Sequence, residues 1–219
     1  MKELIAVISF IPLTFSALLP VINPIGSAVL FLGFVQNTDH ATKKKLARKI
    51  AFNTVLFLFF ILVAGTPVLR FFGISLPIVE VAGGFVLATM GWTLLNKSDG
   101  DGAPVERPSS PEHLENKAFY PLTFPLTAGP ATVVVTLTLS AHAARGTFFD
   151  IAMAHLGVLA GIFLIGIVVY IAYAYADRTT ARLSPSITQG ILRVISFILV
   201  CIGAQIMWNG IESVAKTMH

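Results

Sequence analysis

Apolar residues run along this chain in six long blocks, roughly 4–35, 50–71, 76–96, 119–140, 150–175 and 187–213, and most of the charge lies between them. Each block is near or above the ~20 residues a helix needs to cross ~30 Å of hydrocarbon. The pattern predicts six membrane spans and an all-α fold. The first block is long for a straight crossing and contains its own interruption, Leu19-Pro20-Val21-Ile22-Asn23-Pro24-Ile25-Gly26. Each proline lacks the N–H that an interior turn donates, asparagine is a good N-cap, and glycine tolerates close approach. The stretch predicts a break between two half-helices inside the bilayer. Lipid satisfies no freed backbone group there, so the partners have to come from protein or from a water-filled cavity.

The fourth block repeats the device in Thr123-Phe124-Pro125-Leu126-Thr127-Ala128-Gly129-Pro130-Ala131-Thr132. Broken helices at corresponding places in two halves of a chain point to a transporter's substrate site. The halves are residues 1–97 and 118–219. The linker between them, 98–117, is rich in Gly, Pro, Ser, Asp and Glu and cannot bury an apolar core of its own. Gly84–Gly91 in the third block aligns with Ser196–Gly203 in the sixth, whereas the second and fifth blocks align poorly. Each half holds an odd number of spans, so the second enters from the opposite side. The expected architecture is a polytopic bundle of two inverted three-helix repeats with broken first and fourth spans.

Composition narrows the class. With 55% hydrophobic and 12% charged residues and a mean hydropathy of +0.82, the chain is too apolar for a soluble domain. Lys43, Lys44, Lys45, Arg48, Lys49, Lys97, Arg107, Lys117, Arg178 and Arg182 fall in the odd-numbered connections, against Lys2, Arg70, Arg145 and Lys216 on the other side. Cytoplasmic loops carry the excess of Lys and Arg, which puts both termini on the outer, periplasmic side of a cell (inner) membrane. The same loops account for the net charge of +4, so no nucleic-acid partner is expected. Trp92, Tyr173 and Tyr175 at one level and Trp208 at the other suit interfacial aromatic belts. The first apolar run lacks a small-residue cleavage site and is expected to be retained.

Catalytic and metal chemistry finds no footing in the sequence. Cys201 is the single cysteine, and Asp99-Gly100-Asp101-Gly102 lacks the ligand spacing of a calcium loop. No His and carboxylate cluster at metal spacing, nucleophile elbow or Walker-type loop is present. The chain is expected to be no enzyme, to hold no metal or cofactor, and to perform any transport as a secondary process.

Three motifs in order carry a family resemblance: Asn23-Pro24-Ile25-Gly26; Phe72-Gly73-Ile74-Ser75-Leu76-Pro77 leading into Val81-Ala82-Gly83-Gly84; and Pro121-Leu122-Thr123 with Pro125-Leu126-Thr127-Ala128-Gly129-Pro130. Together they resemble the MarC family of integral membrane proteins over nearly the whole chain. The resemblance implies six helices with both termini outside and relatedness to transporters of small neutral amino acids, a role assigned to some members. The linker, the C-terminal tail and Glu80 depart from the pattern.

The combined expectation is a secondary transporter of small neutral amino acids such as glycine or alanine, bound at the bilayer midplane between the Asn-Pro and Gly-Pro breaks. Free N–H groups after Asn23-Pro24 and Gly129-Pro130 lie at positive helix ends and attract a carboxylate, and carbonyls left at the preceding ends attract an ammonium. Ser27, Asn53, Thr123, Thr127 and Thr132 add hydrogen bonds, while Gly26 and Gly129 leave room for a small ligand. Glu80 and His155 are candidate coupling or gating groups for a proton or sodium ion. Glu80 and Arg193 fall near opposite ends of their spans and are expected to reach toward their own interfaces. Gly157, Gly161 and Gly166 are expected to serve close helix packing. A passive channel or a structural membrane protein without transport is the competing expectation. The sequence sets no oligomeric state.

Overall fold

The computed structural model describes residues 2–35, 38–96, 116–144, 147–178 and 185–217, which are almost entirely helical and include no strand. The helices are α1 (Lys2–Ile22), α2 (Pro24–Phe34), α3 (His40–Phe71), α4 (Leu76–Leu95), α5 (Ala118–Thr127), α6 (Pro130–Ala143), α7 (Phe148–Ala174) and α8 (Pro185–Thr217). Four of them, α3, α4, α7 and α8, are each long and apolar enough to cross a membrane. The α1–α2 pair bends by 43° and the α5–α6 pair by 67°, and counting each bent pair as one span gives six. The linker expected over 98–117 lies mostly outside the described residues.

Helix α3 starts about ten residues before the apolar block that announced it. Hydropathy marks the lipid-facing stretch, whereas the helix end is set by its cap: the Asp39 carboxylate accepts the N–H groups of Ala41 and Thr42 at 3.0 and 3.2 Å. The hydrogen bonds from Thr42 also hold the Asp39 carboxyl below its ordinary pKa. One turn on, Lys43 Nζ pairs with the Asp177 carboxylate at 2.9 Å, just beyond α7, and Lys44 and Arg178 lie over the Tyr175 ring. These contacts bring the first and fifth connections to one end of the bundle.

The core gathers around α7, whose Val158, Ile162, Ile165, Val169 and Tyr173 are buried. The three glycines of this helix behave as packing positions. A Cβ at Gly157 would meet Val7 O at 2.8 Å, one at Gly161 would meet Thr14 Cβ at 2.6 Å, and one at Gly166 would collide with Val55 of α3. Outward-facing residues such as Phe52, Phe60, Phe85 and Phe163 are large and apolar, as the bilayer as solvent requires.

The most extensive helix pair is α4 with α8, and it too meets through glycine. A Cβ at Gly203 would meet Gly84 O at 2.7 Å and would collide with Ala88 N, and one at Gly91 would meet Ser196 O at 2.9 Å and Val200 N at 2.8 Å. The alignment of Gly84–Gly91 with Ser196–Gly203 carries the first set of contacts onto the second, residue for residue. Gly203→Leu, which drives a branched side chain into the α4 backbone, is expected to destabilise the protein by about 1–3 kcal/mol or more. Gly190→Ala, with nothing within 4 Å of the added carbon and a helical backbone that favours alanine over glycine by ~1 kcal/mol, is expected to keep or raise the midpoint. Thermal unfolding of both purified variants checks the pair.

Candidate functional site

At the first break Asn23 sits in the left-handed region, at φ 46° and ψ 63°, which asparagine enters more readily than most residues. Its side-chain oxygen accepts the Gly26 N–H at 3.1 Å, and its carbonyl accepts the Ser27 N–H at 2.9 Å. In an unbroken helix Gly26 N–H would donate to Ile22 O. With that donor diverted, the Ser27 hydroxyl takes its place on Ile22 O at 3.0 Å.

The second break is built differently. Tyr120 and Phe124, each followed by proline, are extended (φ −117°, ψ 124° and φ −113°, ψ 126°), the conformation a following proline favours. The Tyr120–Pro121 and Phe124–Pro125 bonds are cis. Backbone bonds across these turns reach back five residues, from Leu122 N–H to Lys117 O and from Ala128 N–H to Thr123 O. Threonine hydroxyls follow the same spacing: Thr123 to Ala118 O at 2.7 Å and Thr127 to Leu122 O at 2.6 Å. Gly129 then precedes α6, with Pro130 in its first position. Gly129 O accepts the Thr132 hydroxyl at 2.6 Å.

The two breaks touch. Ser27 Oγ also lies 3.3 Å from Leu126 O, across from the opposite broken span. Thr127 Oγ1 lies 2.7 Å from the Tyr173 hydroxyl of α7, and the Tyr173 ring stacks on Phe31 of α2 at 4.8 Å. Beside this junction a cavity of about 520 Å³ is walled by Val21–Asn23 and Gly26–Ser27, by Leu126 and Ala131, by Leu87, Met90 and Leu94 of α4, and by Gln189, Leu192, Arg193 and Ser196 of α8.

The residues singled out in the sequence distribute unevenly around it. Asn23, Gly26 and Ser27 line the cavity, and Pro24 is buried next to them. Thr127 joins the junction through Tyr173. Thr123, Gly129 and Thr132 are buried but do not line the cavity, and the two threonine hydroxyls return to carbonyls of their own segment. Pro130 is exposed, and Asn53 is half-buried on α3 away from the cavity. His155 ties α7 to its neighbours: Nδ1 is 2.8 Å from Ile151 O and Nε2 is 3.5 Å from Ser140 Oγ, whose hydroxyl donates to Leu62 O. The carbonyls expected to stand free at the breaks are in part occupied, since Ser27, Thr123, Thr127 and Thr132 fill them.

Two positions depart from their sequence reading, and a third, Arg193, has surroundings that reading did not foresee. Glu80 does not reach for an interface: it is only 5% exposed, within the second turn of α4, and has partners in the protein. Tyr173 leaves the aromatic belt for the core, because a tyrosine body packs among apolar side chains while its hydroxyl needs a polar partner, here Thr127. Arg193 lines the cavity. The apolar neighbours of Tyr173 in the sequence, with a hydroxyl threonine in the opposite broken span, were the only available signal for its place. Among the described residues no group of three or more His, Cys, Asp or Glu is placed to hold a metal ion.

Long apolar helices with two bent pairs meeting at their breaks define a polytopic integral membrane protein. The profile of MarC family integral membrane proteins matches residues 8–215, and the chain belongs to that family. The UPF0056 inner membrane protein MarC of Escherichia coli strain K12 is 28% identical over 92% of this chain and 94% of its own length. Proteins of the same name from Shigella flexneri and from Shigella boydii serotype 4 match to the same extent. No solved structure matches the chain.

Proposed function

We propose that this protein is a secondary transporter of small neutral amino acids of the glycine or alanine kind, a carrier rather than an enzyme. The observation that carries the reading is the meeting of the two helix breaks, with Ser27 Oγ bonded to Ile22 O of one and near Leu126 O of the other, beside a cavity lined by Asn23 and Gly26. Irregular backbone at membrane depth is tolerated where it is buried in protein or lines a cavity, and paired breaks of this kind form substrate sites in transporters. The substrate lies against Asn23, Gly26 and Ser27 and reaches the second broken span at Leu126. Glu80 and His155 are the ionisable groups within the spans through which a proton or sodium ion would couple. The architecture in this reading is an inverted repeat of residues 1–97 and 118–219. Its support is the exchange of the Gly84–Gly203 and Gly91–Ser196 contacts under the alignment of the two halves.

Counterflow of labelled alanine in proteoliposomes tests the function. Saturable exchange supports the carrier. Non-saturating flux would make the protein a passive channel, and no flux at all would leave a structural membrane protein.

Orientation has its own test. The reading places both termini outside, supported by the charge distribution and by the Lys43–Asp177 pair that gathers two basic connections at one end. In a background with the exposed Cys201 replaced by serine, cysteines at Ser109 and Ser184 are expected to be shielded from an impermeant thiol reagent applied to intact cells, and one at Thr147 to react. The reverse pattern sinks the orientation.

A further inference from the structure

The cavity beside the first break is lopsided in charge. Among the described residues Arg193 is the one charged side chain lining it, and no carboxylate does. The neutral polar groups are largely engaged: Asn23 Oδ1 with Gly26 N–H, Ser27 Oγ with Ile22 O, and Ser196 Oγ with Leu192 O at 2.7 Å. Arg193 itself is exposed and makes no hydrogen bond or ion pair among the described residues. An arginine keeps its charge under all ordinary conditions and presents several donors in a planar fork suited to carboxylate or phosphate.

The rest of the wall is apolar, and much of it belongs to the outer surface of the bundle. Val29, Leu30, Met90 and Leu94 are between 36 and 45% exposed while also lining the cavity. These residues sit on helices whose outward faces meet hydrocarbon, so the cavity opens sideways along an apolar lip. At about 520 Å³ it falls in the ~300–1,000 Å³ range of sites for mid-sized organic molecules. A molecule the size of alanine beside Asn23 and Ser27 leaves the wall from Leu30 to Leu94 unfilled. A small free anion at Arg193 leaves the same wall unfilled.

We infer that this cavity binds a single-chain amphiphile with one anionic head group, taken from the membrane, with its head on Arg193 and its chain along Leu30, Met90 and Leu94. Arg193 supplies a charge-assisted hydrogen bond to the head, and the apolar wall receives a chain that lipid already keeps from water, so packing rather than dehydration holds it. The carboxylate or phosphate identity of the head is secondary, since the guanidinium serves both. The inference does not depend on amino-acid transport.

Decanoate is the probe, titrated calorimetrically at pH 8 into the full-length protein in phosphatidylcholine nanodiscs, with empty discs subtracted. Saturable binding is expected, with decanol at least tenfold weaker and with acetate and inorganic phosphate giving no heat. Arg193→Gln, at an exposed position, is expected to weaken decanoate at least tenfold and leave decanol unchanged. Met90→Trp, which fills the chain path, is expected to weaken both. Circular dichroism of the helices establishes that each variant is folded. Decanoate binding equal in Arg193→Gln and the native protein overturns the inference, as does decanol binding as tightly as decanoate, which would make the cavity a neutral apolar crevice. Phosphate or acetate binding as well as decanoate would make it a simple anion site, and undiminished binding in Met90→Trp would displace the chain. Alanine counterflow, measured separately, reports on the transport reading alone.

Discussion

Asn23→Leu is expected to lose alanine binding by at least tenfold and to lower the stability of the protein by about 2–3 kcal/mol. The stability loss has two sources. Leucine has no side-chain acceptor for the Gly26 N–H, and a lost N-cap costs ~1 kcal/mol. Leucine also pays about 1–2 kcal/mol to hold the left-handed backbone that Asn23 adopts at φ 46°. Asn23→Gly separates these effects from function: glycine accepts the backbone freely and replaces a capping residue at a cost of only a few tenths of a kcal/mol. A folded Asn23→Gly protein that has lost alanine binding would assign the side-chain amide a direct role beside the substrate. Full alanine binding in both variants would reduce the break to a packing kink and remove the proposed site.

The largest loss of stability is expected at Tyr173. The side chain is only 1% exposed, stacked on Phe31 and bonded through its hydroxyl to Thr127. Tyr173→Ala removes a whole buried ring and is expected to cost about 3–5 kcal/mol, the range for large aromatic truncations. Tyr173→Phe keeps the ring and loses one hydrogen bond, leaving Thr127 bonded to Leu122 O, so a cost of about 1 kcal/mol is expected. Chemical unfolding of both variants in detergent measures the difference. Equal losses would show that the hydroxyl, and not the ring, holds α7 to the broken spans.

Much of this fold is legible because its signals are local. An apolar block long enough to cross the bilayer marks a span by itself, and proline after an asparagine or glycine marks a break to the residue: α2 begins at Pro24 and α6 at Pro130. The glycines of α7 betray close packing by composition alone. What stayed hidden depends on side-chain partners that hydropathy does not register. Helix α3 begins at His40 because Asp39 caps it, although the charged turn that follows carries no hydropathy signal. The wide turns of α5, where backbone and threonine bonds reach back five residues, lie behind prolines that by themselves announced only a break. Tyr173 and Arg193 have ordinary sequence surroundings; one is drawn inward by Thr127 and the other faces a cavity made by six helices. The candidate site was therefore legible where one segment builds it, at Asn23, Gly26 and Ser27. It was not legible where α4 and α8 supply the wall.

The glycine contacts of α4 and α8 bear on how such a bundle can move. Side chains that interdigitate can change rotamer and slide past one another by small steps. Where Gly84, Gly91 and Gly203 bring one main chain against the other, there are no rotamers to change, and sliding by a residue would drive Ala88 or Met207 into the space a hydrogen atom now occupies. The two helices are thus keyed like a ratchet with a single tooth engaged. Rearrangement of the kinked segments is therefore expected to leave the α4–α8 pair engaged.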